Sequence, residues 1–199
     1  MRIAPWNIVY LVGVIAMVRI RAPFHRRTRR REKALVRADA LEIRLNHTLA
    51  PSALLLALVY VFTPSLSFAD YRLPPPVPWC GAALLVCAIW LLHRAHADLG
   101  SNYSSELELR EEHELIQQGI YRWIRHPMYA SFWLLFLAQG LLLENWLAGR
   151  YGVLAFAVMY FVRVPREERM LCESFGEQYR EYMRRTGRLI PRIRVHNDA

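Results

Sequence analysis

The chain has 199 residues, 54% hydrophobic and 22% charged, with a formal net charge of +9. That length fits one domain, and apolar runs of 15 to 18 residues alternating with arginine-dense stretches exclude a disordered chain, a fibrous repeat and a disulfide scaffold. Ten of the 26 basic residues lie between positions 19 and 44 and nine from position 163 onward, flanking apolar runs, so membrane topology accounts for the basicity and nucleic acid is not needed.

Five apolar segments are predicted as membrane helices: residues 3–20, 49–63, 77–93, 128–143 and 146–162. Several fall short of the ~20 residues of a usual span, a deficit that local thinning, snorkelling flanks or burial within the bundle absorbs. Only Glu144 and Asn145 separate the fourth from the fifth, which predicts a tight helical hairpin. With the N-terminus outside and five crossings, the inner regions 19–44, 94–127 and 163–199 hold 23 basic residues and the outer ones hold three, Arg2, Arg72 and Arg150. That asymmetry favours this orientation. A cleaved signal peptide is the rival for the first segment, but no small-residue cleavage site follows it.

Trp6, Trp79 and Trp146 lie near predicted span ends, as interfacial belt residues do. Gln139 inside the fourth segment reads as an interhelical hydrogen-bonding group or a tunnel-lining residue. The three cysteines form no paired spacing, and Cys80 and Cys87 are expected to be small buried residues. His93 and His96 lack ligand-spaced partners other than Asp98, so no metal site is expected.

Two inner regions carry candidate chemistry. Residues 94–127 hold six acids (Asp98, Glu106, Glu108, Glu111, Glu112 and Glu114) against four arginines, a surplus that topology does not require and a cationic ligand would favour. The stretch ends in Arg125-His126-Pro127-Met128-Tyr129, where Pro127 suits a first helical turn. After the fifth segment comes Arg163-Val164-Pro165-Arg166-Glu167-Glu168, which predicts a fresh helix start at Pro165 with its acids at the positive end. Leu171, Phe175, Tyr179 and Met183 then recur at i+4, predicting an amphipathic surface helix with Gly176 as a weak point.

Taken in order, Arg125-His126-Pro127-x-Tyr129, Glu167-Glu168-x-x-Leu171, Phe175-Gly176-x-x-Tyr179-x-x-Tyr182 and Leu189-Ile190-Pro191 resemble the isoprenylcysteine carboxyl methyltransferase family, over roughly residues 95–193 and most closely its small prokaryotic members. The resemblance implies an all-α polytopic membrane protein forming one domain over residues 1–199. It has five transmembrane helices, the N-terminus outside and the C-terminus cytoplasmic. Segments 94–129 and 163–193 form a cytoplasmic cofactor pocket capped by the C-terminal amphipathic helix. It implies S-adenosylmethionine as cofactor, with S-adenosylhomocysteine as product, in an inner membrane of a prokaryote. By motif position His113, Glu114, Leu115 and Ile116 match the strip lining the cofactor, Tyr121 a tyrosine beside it, and His126, Pro127, Met128 and Tyr129 further contacts. Glu167 matches the carboxylate that holds the cofactor, joined by Glu168, while Glu108 matches a polar contact whose spacing varies. Arg163 matches the arginine facing the acceptor carboxylate, with Arg125 as a second catalytic candidate. The family's Leu-Gly-x-x-Trp-Ser turn reads Leu99-Gly100-Ser101-Asn102-Tyr103-Ser104, with Tyr in place of Trp.

The residue types agree with that chemistry. A carboxylate pairs with the donor's ammonium group, and aromatic walls stack adenine and attract a sulfonium. The acceptor, a lipidic or prenylcysteine-like carboxylate drawn from the bilayer, is ionised at neutral pH. In-line displacement on the methyl carbon therefore needs no general base. Opposite charges vanish in the transition state, which a dry pocket favours. Three alternatives compete: a phospholipid N-methyltransferase, a reductase of the sterol type using NADPH, and a non-enzymatic membrane scaffold. No Gly-x-Gly occurs among the nine glycines, which counts against the first. The acidic 94–127 stretch counts against a phosphate-rich dinucleotide, and a scaffold leaves the paired clusters unexplained.

Overall fold

The computed structural model describes residues 4–29, 35–36, 40–100, 108–109 and 115–192, with the backbone alone at 25–29, 35–36, 40–47, 50 and 108–109. Among these the elements in chain order are α1 (Pro5–Arg29), β1 (Leu35–Val36), α2 (Ala40–Phe62), α3 (Val77–Leu99), β2 (Glu108–Leu109), α4 (Pro127–Leu142), α5 (Tyr151–Phe175) and α6 (Glu177–Arg185). The protein is mostly helical, as expected. The exception is a two-residue antiparallel pairing of β1 with β2, Leu35 opposite Leu109 and Val36 opposite Glu108.

All five apolar segments are helical. By length and composition Pro5–Phe24, Val77–Leu99 and Trp146–Arg185 are long and apolar enough to cross a membrane, and Pro51–Phe62 and Pro127–Leu142 are shorter apolar helices. Helices α1, α3 and α5 each bury one stripe and expose another that is also apolar. On α1, Tyr10 and Met17 are buried while Ile8, Val12, Ile15 and Val18 are exposed; on α5, Phe156 and Tyr160 are buried while Leu154, Val158 and Phe161 are exposed. A water-soluble bundle would not leave such faces uncovered.

Helix α3 packs between α1 and α4, and α5 packs against α2 and α4. Tyr10, Met17, Ala57, Val61, Leu85, Leu92, Leu135 and Leu142 bring four helices into one core. Small residues permit the close approaches: a Cβ on Gly13 would lie 2.4 Å from a methyl of Leu85, and one on Gly152 would lie 2.5 Å from the Phe136 ring. Gln139, fully buried, is an interhelical group: its Oε1 accepts from the Tyr10 hydroxyl at 2.9 Å and its Nε2 donates to the Ala148 carbonyl at 2.5 Å.

The predicted hairpin between α4 and α5 is a short bend followed by one π turn, Trp146–Arg150. Asn145 organises it. Its Oδ1 accepts from the amides of Leu147 (3.1 Å) and Ala148 (2.9 Å), and its Nδ2 donates to the Leu66 carbonyl (2.6 Å) and Asp70 Oδ1 (2.8 Å). The 63–76 connection is thereby tied to the hairpin at one end of the bundle. Trp6 and Trp79 meet edge to face at that end, ring centroids 5.0 Å apart, and Arg150 lies over the Trp146 ring at 3.9 Å. The opposite end carries Gly119–Arg122, the α4 start, α6 and the chain beyond it.

Three expectations are corrected. The helices outrun the hydropathy: α2 begins at Ala40 rather than 49, α3 ends at Leu99 rather than 93, and α5 ends at Phe175 rather than 162. Ala, Leu, Glu and Arg are good helix formers, so helix continues where apolarity stops. No helix starts at Pro165, which lies inside α5 on an exposed position, between the fully buried Val164 and the buried Glu168. Packing on both sides carries the helix through, and the break comes at Gly176 with φ +55°, where α6 begins. Cys80 and Cys87 are exposed rather than buried, on the outward face of α3 with Trp79, Val86 and Trp90. A thiol facing lipid needs no burial in protein.

Candidate functional site

The end of the bundle that carries α6 is assembled from backbone first. Gly119 has φ +60°, and a Cβ there would lie 2.3 Å from the Asp98 carboxylate, which accepts the Ile120 amide at 2.7 Å and pairs with Arg94 at 3.1 Å. Glycine is required twice over, for its dihedral and for the contact. Gly119→Ala is expected to lower stability by about 2 kcal/mol, read as a lower thermal midpoint in detergent. Tyr121 is buried beneath this turn; its hydroxyl donates to the Ala95 carbonyl of α3 at 3.3 Å, and its own carbonyl accepts from the Tyr182 hydroxyl of α6 at 2.6 Å.

The chain leaving α6 then runs alongside residues 123–126. The Gly187 amide donates to the Trp123 carbonyl (3.2 Å), the Arg125 amide to the Gly187 carbonyl (2.9 Å), and the His126 amide to the Arg188 carbonyl (3.0 Å). Pro127 opens α4 as its first residue, with His126 as the residue before it. The helix thus starts from a strand-like segment held on its far side by residues 186–190.

Two adjacent carboxylates of α5 have different surroundings. Glu168 is buried and shared by three basic side chains. Its Oε1 accepts from Arg125 Nε, His126 Nε2 and Arg188 Nε, each at 3.2 Å, and its Oε2 accepts from Arg188 Nη2. Arg125 also caps the end of α6 by donating to the carbonyls of Met183 (3.1 Å) and Thr186. The Glu168 hydrogen bond holds the Arg188 guanidinium even further above its ordinary value, so it stays charged.

Glu167, with a quarter of its side chain exposed, accepts from the Tyr129 hydroxyl at 2.7 Å, and that hydroxyl accepts from Arg163 Nε at 2.8 Å. His126 Nδ1 stands 3.9 Å from Glu167 Oε1. Aromatic rings back the chain of polar groups: Tyr129 lies 5.8 Å from Tyr160 and 6.4 Å from Phe156, and Trp133, one turn further along α4, lies 5.2 Å from Phe156 and 5.7 Å from Tyr160.

Of the residues singled out in the sequence, the structure brings together Arg125, His126, Tyr129, Arg163, Glu167 and Glu168. Met128 is half-buried and packs on the main core, and Pro127 is buried at the helix start. Leu115 and Ile116 are half-buried in irregular backbone. His113, Glu114 and Tyr103 lie outside the described residues, as does the Glu108 side chain, whose backbone forms β2. Arg125 is walled in by Glu168 and the carbonyls of Met183 and Thr186, with 8% of its side chain exposed. Helix-end electrostatics does not account for Glu167 and Glu168, because both lie deep inside α5. Arg188 and Tyr160 escaped the sequence reading of the site, and Asp98, read there as one of six acids, serves the Gly119 turn. Arg188 is one of nine basic residues after position 162, and nothing in its spacing marks it.

Fold and site together define a helical integral membrane protein with a buried ion cluster at one end of its bundle. A sequence model of the isoprenylcysteine carboxyl methyltransferase (ICMT) family matches residues 81–173, from α3 through the Glu167-Glu168 pair. A protein-S-isoprenylcysteine O-methyltransferase of Tribolium castaneum is 33% identical over 114 residues, which is 55% of this chain and 41% of that one. Protein-S-isoprenylcysteine O-methyltransferase B of Arabidopsis thaliana is 29% identical over 117 residues, covering 56% and 57%. The chain thus spans about half the length of these relatives. The solved structure of a eukaryotic intramembrane Ras methyltransferase, ICMT, superposes with a TM-score of 0.59 over 95% of this chain and 68% of that one, at 23% identity, a likeness of fold. Over residues 81–173, a little under half of its length, the chain is thus similar in sequence to the isoprenylcysteine carboxyl methyltransferase family.

Proposed function

We propose that the protein transfers a methyl group from S-adenosylmethionine to the carboxylate of a lipidic, prenylcysteine-like acceptor. The observation that carries this reading is the Arg163–Tyr129–Glu167 chain against an aromatic wall. The residues fit the donor's charge: a partly exposed carboxylate beside tyrosine and phenylalanine rings suits an ammonium and a sulfonium. When bound, the cofactor supplies an electrophilic methyl group on positively charged sulfur.

Glu167 holds the ammonium end of the donor, and Tyr129, bonded to it, fixes the direction of the carboxylate. His126, Pro127, Met128 and Tyr121 shape the pocket from the α4 side, with Glu108, His113, Glu114, Leu115 and Ile116 completing it. Arg163 orients the acceptor carboxylate through the N–H edge of its guanidinium. Arg125 and Glu168 are read as framework, since each is enclosed by protein partners. No side chain is asked to move a proton, because the acceptor is ionised at neutral pH.

In this reading the whole chain is one methyltransferase domain of five crossings with the N-terminus outside. The ion cluster faces the cytoplasm of a prokaryotic inner membrane, and the acceptor enters laterally from the bilayer. The charge distribution supports it, since 23 of the 26 basic residues fall in the sequence regions this orientation puts inside.

The test is calorimetry on the purified protein in detergent with S-adenosylhomocysteine and NADPH. S-Adenosylhomocysteine is expected to bind the wild type, and Glu167→Ala is expected to weaken it at least about a hundredfold, the loss of a charge-assisted pair in a partly dry site. NADPH binding in its place would transfer the protein to the reductase class.

A further inference from the structure

Arg188 stands outside the stretch matched by the family, yet it touches the site from two directions. Its carbonyl accepts the His126 amide at 3.0 Å, at the residue preceding α4, and its guanidinium bonds both oxygens of Glu168. Glu168 in turn bonds His126 Nε2 at 3.2 Å, and the other nitrogen of that ring faces Glu167 at 3.9 Å. One residue from the final segment therefore closes a ring of contacts around His126, its carbonyl on one side and, through its guanidinium, the Glu168 carboxylate on the other.

We infer that Arg188 is a positioning residue for the methyl-donor pocket, acting through Glu168 on His126 and Glu167. The inference rests on the reading of Glu167 as the donor's anchor. Three features carry it. Glu168 shows 6% side-chain exposure and Arg125 shows 8%, so both are enclosed, while Arg188 at 44% is the cation of the cluster that reaches solvent. Arg188 bonds both oxygens of Glu168, and Oε1 is shared with Arg125 and His126, so Arg188 fixes the carboxylate plane from the side those two leave open. The planar fork of arginine suits this bond, and a lysine ammonium does not reproduce it. Arg188 touches neither donor nor acceptor in this account, and it fixes the carboxylate that fixes the imidazole. Losing it frees the His126 ring to turn and Glu167 to follow, which costs donor affinity while leaving Arg163 in place.

The partial exposure of Arg188 makes chemical rescue feasible. Donor affinity is measured by titrating the full-length protein in detergent with S-adenosylhomocysteine. Arg188→Ala is expected to weaken binding about tenfold. Added guanidinium ion should restore it, and sodium at the same ionic strength should not. The KM for a prenylcysteine analogue should stay within about twofold. Arg184→Ala, which removes an equal charge from the exposed face of α6, should bind as the wild type does. Wild-type affinity in Arg188→Ala overturns the inference. So does a loss that guanidinium fails to restore, or one that Arg184→Ala reproduces, since either marks a general structural or charge effect. If the alanine variant does not fold, Arg188→Lys carries the same test: intermediate affinity supports the inference and wild-type affinity overturns it. Failure of the wild type itself to bind S-adenosylhomocysteine would sink the methyltransferase reading.

Discussion

Arg163→Ala is expected to lower turnover by about a hundredfold or more while leaving affinity for S-adenosylhomocysteine close to that of the wild type. The two effects separate because the structure separates the groups. Glu167 is one turn further along α5 and keeps its own bond from the Tyr129 hydroxyl, at 2.7 Å. Arg163 reaches the same hydroxyl through Nε at 2.8 Å, which turns the guanidinium plane and sets the direction of its remaining donors. Under the proposed function, an acceptor carboxylate held at the edge of that plane would meet the methyl group along a fixed line. Without it the carboxylate explores many orientations, and the loss falls on the chemical step. The bond must stay short of full neutralisation, because an arginine that stabilised the ground-state carboxylate as well as the transition state would gain nothing in rate. Arg163→Lys should therefore retain part of the activity with a poorer KM for the acceptor. Initial rates with a prenylcysteine analogue, alongside calorimetry, check both arms; full turnover in Arg163→Ala would remove the orienting role.

The second large effect belongs to the other end of the molecule. Asn145→Leu is expected to destabilise the protein by about 3 kcal/mol, a fall of roughly 10 °C in thermal midpoint for a chain of this size. Asn145 is fully buried and makes four side-chain hydrogen bonds, two to the first amides of the π turn and two across to the 63–76 connection. A leucine of similar size leaves those amides uncapped and the Asp70 carboxylate short of a donor, each a recognised cost. Asn145→Asp should be nearly as damaging, because it keeps the cap but sets two carboxylates together at what is now a 2.8 Å contact. Turnover per folded molecule should be unchanged in the leucine variant. A midpoint shift below about 2 °C would mean that the hairpin and the connection are held by packing alone.

Much of this molecule is legible in its sequence, for identifiable reasons. Apolar runs mark five helices because a lipid-facing helix cannot hide charge, and the Arg125-His126-Pro127-x-Tyr129 and Glu167-Glu168 clusters stand out because polar groups at the edge of such runs need partners. The helix ends were not legible in the same way. Hydropathy reports where the apolar environment ends, and α5 continues a further 13 residues beyond the predicted boundary at 162. The division of labour between Glu167 and Glu168 was hidden as well. Adjacent residues of one helix point about 100° apart, so one carboxylate turns toward Tyr129 and the other toward the ion cluster. Only the three-dimensional path of residues 186–190 shows which is enclosed. Arg188 was invisible for the same reason: a basic residue in a basic tail carries no periodic signal, and its partners are 20 residues or more away in the chain.

The passage of α5 through Pro165 has a consequence for how the protein can change over time. Because no joint separates Arg163 from Glu167, the two are fixed about 6 Å apart along one rod, with about 40° of rotation between them. Adding or deleting a single residue between them would swing one partner round by about 100° and break the relationship outright. Insertions elsewhere, as in the 63–76 connection, leave that relationship untouched. Change around this stretch is therefore expected to come by substitution, with the number of residues between Arg163 and Glu167 unchanged.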